Sequence, residues 1–417
     1  MDYHVKRMSL FIKFKRMEIG ISQRDFAKSI FVSRSLIDNI ENGKYTSLNH
    51  HIDNIFECFG LDKSQYIDDD YDFIKRFYTV IHRVIYYDLD KNPQDIIDEF
   101  YFKGIENTYL YIYYQLLKTC LYSREYFNDE FLFKYIPLFE NIIDQFDLLI
   151  QQFFQITKYI YYKEKGMFNK CVLNDKNVNF DMMNNDMKSY YYHAYALRYM
   201  YEGDFYKQFK YFNLANEYSL KMNNQKRLIA LKIIECDIYE KLGDMNKVID
   251  ILYSNIKKID EINFTSMKYV FISNLGIEYF KIKNYAYAIQ CLKVSFLKNN
   301  DNLDLFYLIL SHMLLDNKNE VKKLLNYQYQ VECFNEIYYE LIEWCSKAYQ
   351  RPYTKKCQYI LERIYKRYFA SSSYDAKKLI LNLLIDNYEH HEDYQMINNY
   401  QKELIKLLES RRVNCEK

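Results

Sequence analysis

The sequence predicts an all-α protein, a small helical head in front of a long array of helical hairpins. Three observations carry that expectation. Only 8 Gly and 3 Pro occur in 417 residues, too few for a β-architecture that needs a turn every ten residues or so. The chain is 49% hydrophobic and 18% aromatic, so it can bury a sizeable core and is not a disordered tail. A short pattern also returns at one constant interval in the middle of the chain, at Gly203, Gly243 and Lys283, the mark of a repeated supersecondary unit.

Charge and cysteine usage narrow the class. With 57 Lys+Arg against 56 Asp+Glu, no global field draws the chain to nucleic acid or membrane, so any basic surface is local. The nine cysteines are odd in number and form no C-x-x-C pair, which fits reduced thiols better than a disulfide framework or a zinc site. The opening MDYHVKRMSLFIKFKRM interrupts its apolar residues with Lys and Arg, unlike a secretory signal. The longest charge-free stretches, 107–117 and 305–315, have 11 residues each, short of the roughly 18 a membrane span demands. A soluble, cytoplasmic protein with no membrane partner is the expectation.

The head occupies residues 1–65. Over positions 1–34, basic side chains outnumber acidic ones by 8 to 3, which concentrates positive charge at the front. In Ser22–Gly43, apolar Phe26, Ile30, Val32, Ile37 and Ile40 follow spacings that fit two short helices with a tight break. Ser22 caps the first, with Asp25 completing a capping-box-like pair, and Ser33 caps the second. Gly43 ends it in the left-handed region. Flanking helices Val5–Glu18 and Ser47–Phe59 close the miniature core.

These residues resemble the helix-turn-helix of the phage-repressor or XRE class. The run Lys15-Arg16-Met17-Glu18-Ile19-Gly20-Ile21-Ser22-Gln23 and the later Ile40-Glu41-Asn42-Gly43-Lys44 carry the likeness. One departure is Phe31, where the family usually has a turn glycine. The resemblance implies that Ser33, Arg34, Ser35, Asp38 and Asn39 present a face to the major groove. Gln23, Asn42 and Lys44 would hold phosphates and fix register. Arg16 and Glu41 would form an ion pair inside the domain. The partner implied is a double-stranded DNA operator.

After the acidic segment Asp62–Asp72 the charge balance changes, to 47 basic against 48 acidic residues over 66–417. Residues 66–90 are expected to form a linker helix, with Phe73–Tyr87 amphipathic, and residues 91–417 the array. Gly203-Asp204-Phe205, Gly243-Asp244-Met245 and Lys283-Asn284-Tyr285 are evenly spaced, each shortly after a tyrosine, Tyr199, Tyr239 and Tyr279. Asn274-Leu275-Gly276 with Tyr279 and Ala288 gives the best single match to the tetratricopeptide repeat, which this segment resembles at a longer period. The predicted fold is therefore a helix-turn-helix domain followed by a tetratricopeptide-like right-handed helical solenoid. Such arrays offer a concave face to an extended peptide. Mapping the repeat onto the chain places Tyr190, His193, Tyr201, Asp237, Glu240, Ser273, Asn274 and Lys281 on inner faces as candidate peptide contacts. Asn274 is the most attractive, since an amide both donates to and accepts from a peptide backbone.

No dinucleotide, P-loop, zincin or nucleophile-elbow motif occurs, so neither catalysis nor a cofactor is expected. His50-His51 and His390-His391 are adjacent pairs whose side chains point about 100° apart on a helix, so no metal site is expected. A head of this kind joined to such an array resembles the peptide-pheromone receptors grouped as RRNPP, which include quorum-sensing regulators and the phage arbitrium receptors. The resemblance implies a homodimeric transcription regulator controlled by a short signalling peptide bound in the array. The alternative is an interaction scaffold whose array binds a partner protein without a peptide ligand.

Overall fold

The structure, a computed structural model, describes residues 3–44, 51–87, 92–123, 128–165, 167, 170, 183–331 and 335–413. Every regular element among them is helical. The chain divides into two compact units, Met1–Tyr161 and Tyr162–Lys417.

The first unit opens with α1 (Tyr3–Glu18), α2 (Gln23–Ser29), α3 (Arg34–Glu41) and α4 (Ile52–Cys58). Of the helix expected at Ser47–Phe59, the front portion up to position 50 lies outside the described residues. Ser22 accepts from the Asp25 amide and Ser33 from the Leu36 amide, so both short helices start on side-chain caps. Phe11, Phe14, Phe26, Ile37, Ile40 and Ile55 are sealed from solvent beneath them, and the Phe26 and Phe59 rings stack at 4.9 Å. Then follow α5 (Tyr71–Tyr86), α6 (Pro93–Phe100), α7 (Leu110–Tyr122), α8 (Asp129–Glu140) and α9 (Leu148–Glu164), the last running through the division between units.

The boundary expected near residue 65 falls inside this first unit. Aromatic packing is the physical reason: Tyr66 meets Phe11 at 5.5 Å and Phe56 at 5.7 Å, and Phe14 packs on Phe139 at 5.6 Å. Polar bonds reinforce it. Glu18 accepts from Lys15 (3.1 Å) and from the hydroxyls of Tyr111 (2.8 Å) and Tyr135 (2.5 Å). The acidic segment is held too, with Asp68 taken by His4 and its carbonyl by Arg7 at 2.7 Å.

The second unit is a stack of antiparallel hairpins: α10 (Asn185–Glu202), α11 (Phe205–Lys221), α12 (Gln225–Lys241), α13 (Met245–Glu261), α14 (Thr265–Lys281) and α15 (Tyr285–Asn299). It continues through α16 (Asn302–Leu314), α17 (Lys318–Leu325), α18 (Glu336–Ala348), α19 (Lys355–Tyr368), α20 (Tyr374–His390) and α21 (Tyr394–Val413). Left-handed residues Gly203, Asn223, Gly243, Asn263 and Lys283 mark its breaks, with φ of 79°, 49°, 81°, 53° and 63°. They are evenly spaced at half the interval of the sequence repeat, so each repeat is two halves, each a helix and one tight turn. At each break the amide after the left-handed residue reaches back across the helix end, as Asn224 does to the Ser219 carbonyl at 2.9 Å. In four of the five, that same residue caps the next helix: Asp204, Asn224, Asp244 and Asn284.

Gly276 lets α14 and α15 cross closely. A Cβ at that position would lie 2.7 Å from Leu292 Cγ and 3.1 Å from Cys291 Cβ. At the far end of the array α20 meets α10, with the Tyr374 ring against Gly203. On this side α10 touches both α12 and α20, and α16 touches both α14 and α18.

Candidate nucleic-acid interface and candidate ligand groove

The α2–α3 pair presents one polar face on a sealed apolar base. Ile37 and Ile40 point into the core, while Ser33, Arg34, Ser35, Asp38, Asn39, Asn42 and Lys44 are all exposed. Arg34 and Asn39 make no side-chain hydrogen bond or ion pair among the described residues, so both are available to a ligand. Ser33 and Ser35 share a hydroxyl bond of 2.9 Å at the start of α3. The Asn42 amide donates to the Asp38 carbonyl at 2.8 Å, closing the end of the helix.

Below this face, Arg16 donates through Nε and Nη2 to the two oxygens of Glu41, the latter bond 2.9 Å long. Its Nη1 donates to the Ile21 carbonyl at 2.8 Å. Gln23 is half-buried and donates to Glu41 Oε2 at 2.9 Å. One N–H of its amide therefore anchors the pair. The pair buries a carboxylate that is 2% exposed, and the fork geometry of Arg satisfies both of its oxygens.

The expected peptide contacts divide into two sets. Tyr190, His193 and Ser273, expected on a ligand face, are buried and packed between helices. Arg227, itself 1% exposed, sits over the Tyr190 ring at 4.6 Å and donates to His193 Nδ1 at 3.0 Å. Burial and then the Arg227 charge hold His193 well below its ordinary value, so it is a neutral acceptor joining α10 to α12. Ser273 Oγ donates to Asp304 Oδ1 and ties α14 to α16. Helix spacing could not separate this set from the second, because inner-face and interhelix positions alternate within one turn.

Tyr201, Asp237, Glu240, Asn274 and Lys281 do reach solvent. Asn274 Nδ2 donates to the Val270 carbonyl at 2.8 Å, which leaves its second N–H and its acceptor oxygen. Lys281 Nζ bridges Glu240 and Glu278, 2.8 Å from each. Asp237 takes Lys241 at 2.5 Å and the Gln208 amide at 2.6 Å. Sequence reasoning does not single out Glu278, Lys241 or Asp375, although the spacings Asp237–Lys241 and Glu278–Lys281 are ordinary same-face ion-pair spacings.

Three carboxylates, Asp237, Glu240 and Glu278, share two ammonium groups here, those of Lys241 and Lys281. Asp375 on α20 adds its field to Asp237, Glu278 and Lys281 from across the inner side. Burial pushes the Glu278 carboxyl up to about 7, against the pull of Lys281 and with Glu240 adding to the rise. Lys281 stays above its ordinary range, because Glu278, Glu240 and Asp375 outweigh the burial that opposes its charge. Glu278 Oε2 is buried without a hydrogen-bond partner among the described residues. The cluster is thus richer in acceptors than in donors around this oxygen.

Among the described residues no cluster of His, Cys, Asp and Glu could hold a metal ion. His50 lies outside them, and His390 stacks on Tyr353 at 4.0 Å. No described helix is long and apolar enough to cross a membrane.

The fold is that of a tetratricopeptide-like helical array. No sequence family and no curated protein matches the chain. A Rap protein crystallised in complex with competence and sporulation factor shares the fold: TM-score 0.59 and 13% identity, over 82% of this chain and 98% of that one. Aspartyl phosphate phosphatase F from Bacillus subtilis gives 0.47 and 14%, over 81% and 93%. The apo form of RapI gives 0.46 and 14%, over 82% and 98%. The first of these shows that the array has a helical-repeat fold, as the sequence resemblance implied.

Proposed function

We propose that this chain is a DNA-binding transcription regulator of the cytoplasm, acting as a homodimer and controlled by a short signalling peptide taken into the inner side of its array. One observation carries the reading: α3 exposes Arg34, Ser35, Asp38 and Asn39 in a single face while its apolar residues are sealed beneath. A face of exposed donors and acceptors, on a helix of 8 residues, suits the edge pattern of base pairs in a major groove. Two such heads in a dimer would meet half-sites about 34 Å apart, or a multiple of that.

The peptide half of the reading is supported by the acid surplus around Lys281 and by the neighbouring fold having been crystallised with a signalling factor. A groove with this balance favours a ligand that brings a cation, either a basic side chain or the peptide's own amino terminus. Such a group would be drawn to the partly exposed Glu240 carboxylate, which shares Lys281 with Glu278.

The test is a selection of duplexes from a random-sequence pool by the full-length protein. Synthetic peptides from small reading frames beside its gene are then titrated against the recovered complex. A bound duplex whose affinity shifts about 5- to 150-fold with one peptide supports the reading. No retained duplex at about 50 mM salt, where phosphate contacts are strong, defeats the DNA half. A retained duplex indifferent to every peptide, with no calorimetric binding, defeats the peptide half.

A further inference from the structure

Four left-handed residues punctuate the head among the described residues, and they are not alike. Gly20, Gly43 and Gly60 adopt φ of 76°, 65° and 66°, where the absence of a Cβ makes the conformation free of strain. Phe31 adopts φ of 57° at the end of α2, a conformation costly for an aromatic residue. The local hydrogen bonding is that of an ordinary glycine-terminated helix: the Phe31 amide reaches the Lys28 carbonyl at 3.2 Å and the Val32 amide reaches Ala27 at 2.9 Å. Glycine would serve this turn better.

Packing does not offset the strain. The Phe31 side chain is 94% exposed and makes no ring contact among the described residues, so it contributes nothing to the core. Its surroundings are cationic and polar. Lys28 lies three residues before it and Arg34 three residues after, both exposed, and Ser33 and Ser35 follow at the start of α3. Among the described residues Lys28 has only a 3.9 Å pair with Asp25, itself exposed. A lone aromatic ring between two exposed cations does not form a continuous apolar patch of the kind a protein partner covers. It does match a polyanion that also carries apolar groups.

We infer that Phe31 is a DNA-contacting residue, placing its ring against an apolar element of the duplex, a thymine methyl or a deoxyribose, beside the segment that Arg34 and Ser35 enter. This deepens the DNA-binding reading and rests on it. Lys28 and Arg34 on either side would hold the flanking phosphates and groove edge, and the ring adds a contact that counterion release does not supply.

The test compares full-length wild type, Phe31→Gly and Phe31→Tyr on the duplex recovered from the random pool, with thermal unfolding measured in parallel. Phe31→Gly is expected to raise the melting temperature by about 2 °C, because strain is relieved, while lowering duplex affinity roughly 5- to 20-fold. The slope of log affinity against log salt should not change, since no charge is lost. Phe31→Tyr should stay within about twofold of wild type. Replacing thymines by uracil one at a time separates the two apolar elements: a loss seen in wild type and not in Phe31→Gly marks a methyl contact, and no loss at any position marks the sugar. Equal affinity of wild type and Phe31→Gly across the salt series overturns the inference and leaves the DNA-binding reading standing. A wild type that retains no duplex removes both.

Discussion

Glu41, the last residue of α3, receives both ends of the Arg16 guanidinium fork from α1, with Arg16 Nη2 2.9 Å from Glu41 Oε2. The Gln23 amide closes on the same oxygen from α2. Three helices therefore converge on one carboxylate, and the angle at which α3 stands out from the head depends on it.

Replacing Glu41 by Ala leaves the Arg16 charge, 12% exposed, without its counter-ion. The expected loss is about 3 kcal/mol of unfolding free energy, in the range seen when one member of a buried pair is removed. Urea unfolding of the full-length protein, followed by a probe in the first unit, gives the value. A change no larger than that of an ordinary surface substitution, about 0.5 kcal/mol, would show that the pair is not holding the head.

Arg34 and Lys44 should fail differently. Arg34→Ala is expected to lower affinity for the selected duplex by about 1 to 3 kcal/mol and to relax preference at one base pair. Lys44→Ala should weaken all duplexes alike and reduce the salt slope by about one. Anisotropy titrations at several salt concentrations distinguish the two, and identical behaviour of both variants would refute the division into reading and anchoring residues.

Glu278 makes stability depend on pH in a definite direction. Its carboxyl is raised from 4.5 to about 7 in the folded chain by burial, with Lys281 opposing. A raised value means that the folded state binds the proton more tightly than the unfolded one. The associated stability is complete below about 4.5, declines as pH rises, and is gone above about 7. Glu278→Gln should therefore flatten the decline of melting temperature between pH 5 and pH 7. An unchanged slope would show that the carboxyl titrates normally. A cationic ligand would favour the ionised carboxylate, so peptide binding in this window should release protons, measurable as a buffer-dependent enthalpy.

Two single changes test the array. Gly276→Ala forces a Cβ to within 2.7 Å of Leu292 and is expected to cost about 2 kcal/mol. Lys283 holds φ of 63° at the position equivalent to Gly203 and Gly243, so Lys283→Gly is expected to stabilise by about 1 kcal/mol. Chemical denaturation of the second unit's helices reports both. Opposite signs to these would mean that the hairpins are not packed as described.

Helical content, the caps Ser22 and Ser33 and the recurrence at Gly203, Gly243 and Lys283 were legible because they are local. A cap needs only the next three residues, and a helix break needs only a residue that tolerates positive φ. The intermediate breaks escape sequence reasoning because Asn223 and Asn263 play the part of glycine, and asparagine reads as an ordinary polar residue until its φ is known. The exposed face of α3 was legible for the same local reason, since apolar Ile37 and Ile40 fix which side is buried.

What the sequence by itself determined, then, is which segments coil, where they stop and which side of each is apolar. Only tertiary structure decided that Tyr190, His193 and Ser273 are engaged between helices while Lys281 bridges Glu240 and Glu278, and that Tyr111 and Tyr135 bind Glu18 across a boundary that charge alone had drawn. The reason is physical: burial and pairing of a polar group depend on what another helix brings to it from a distant part of the chain, and spacing along one helix carries no information about that partner.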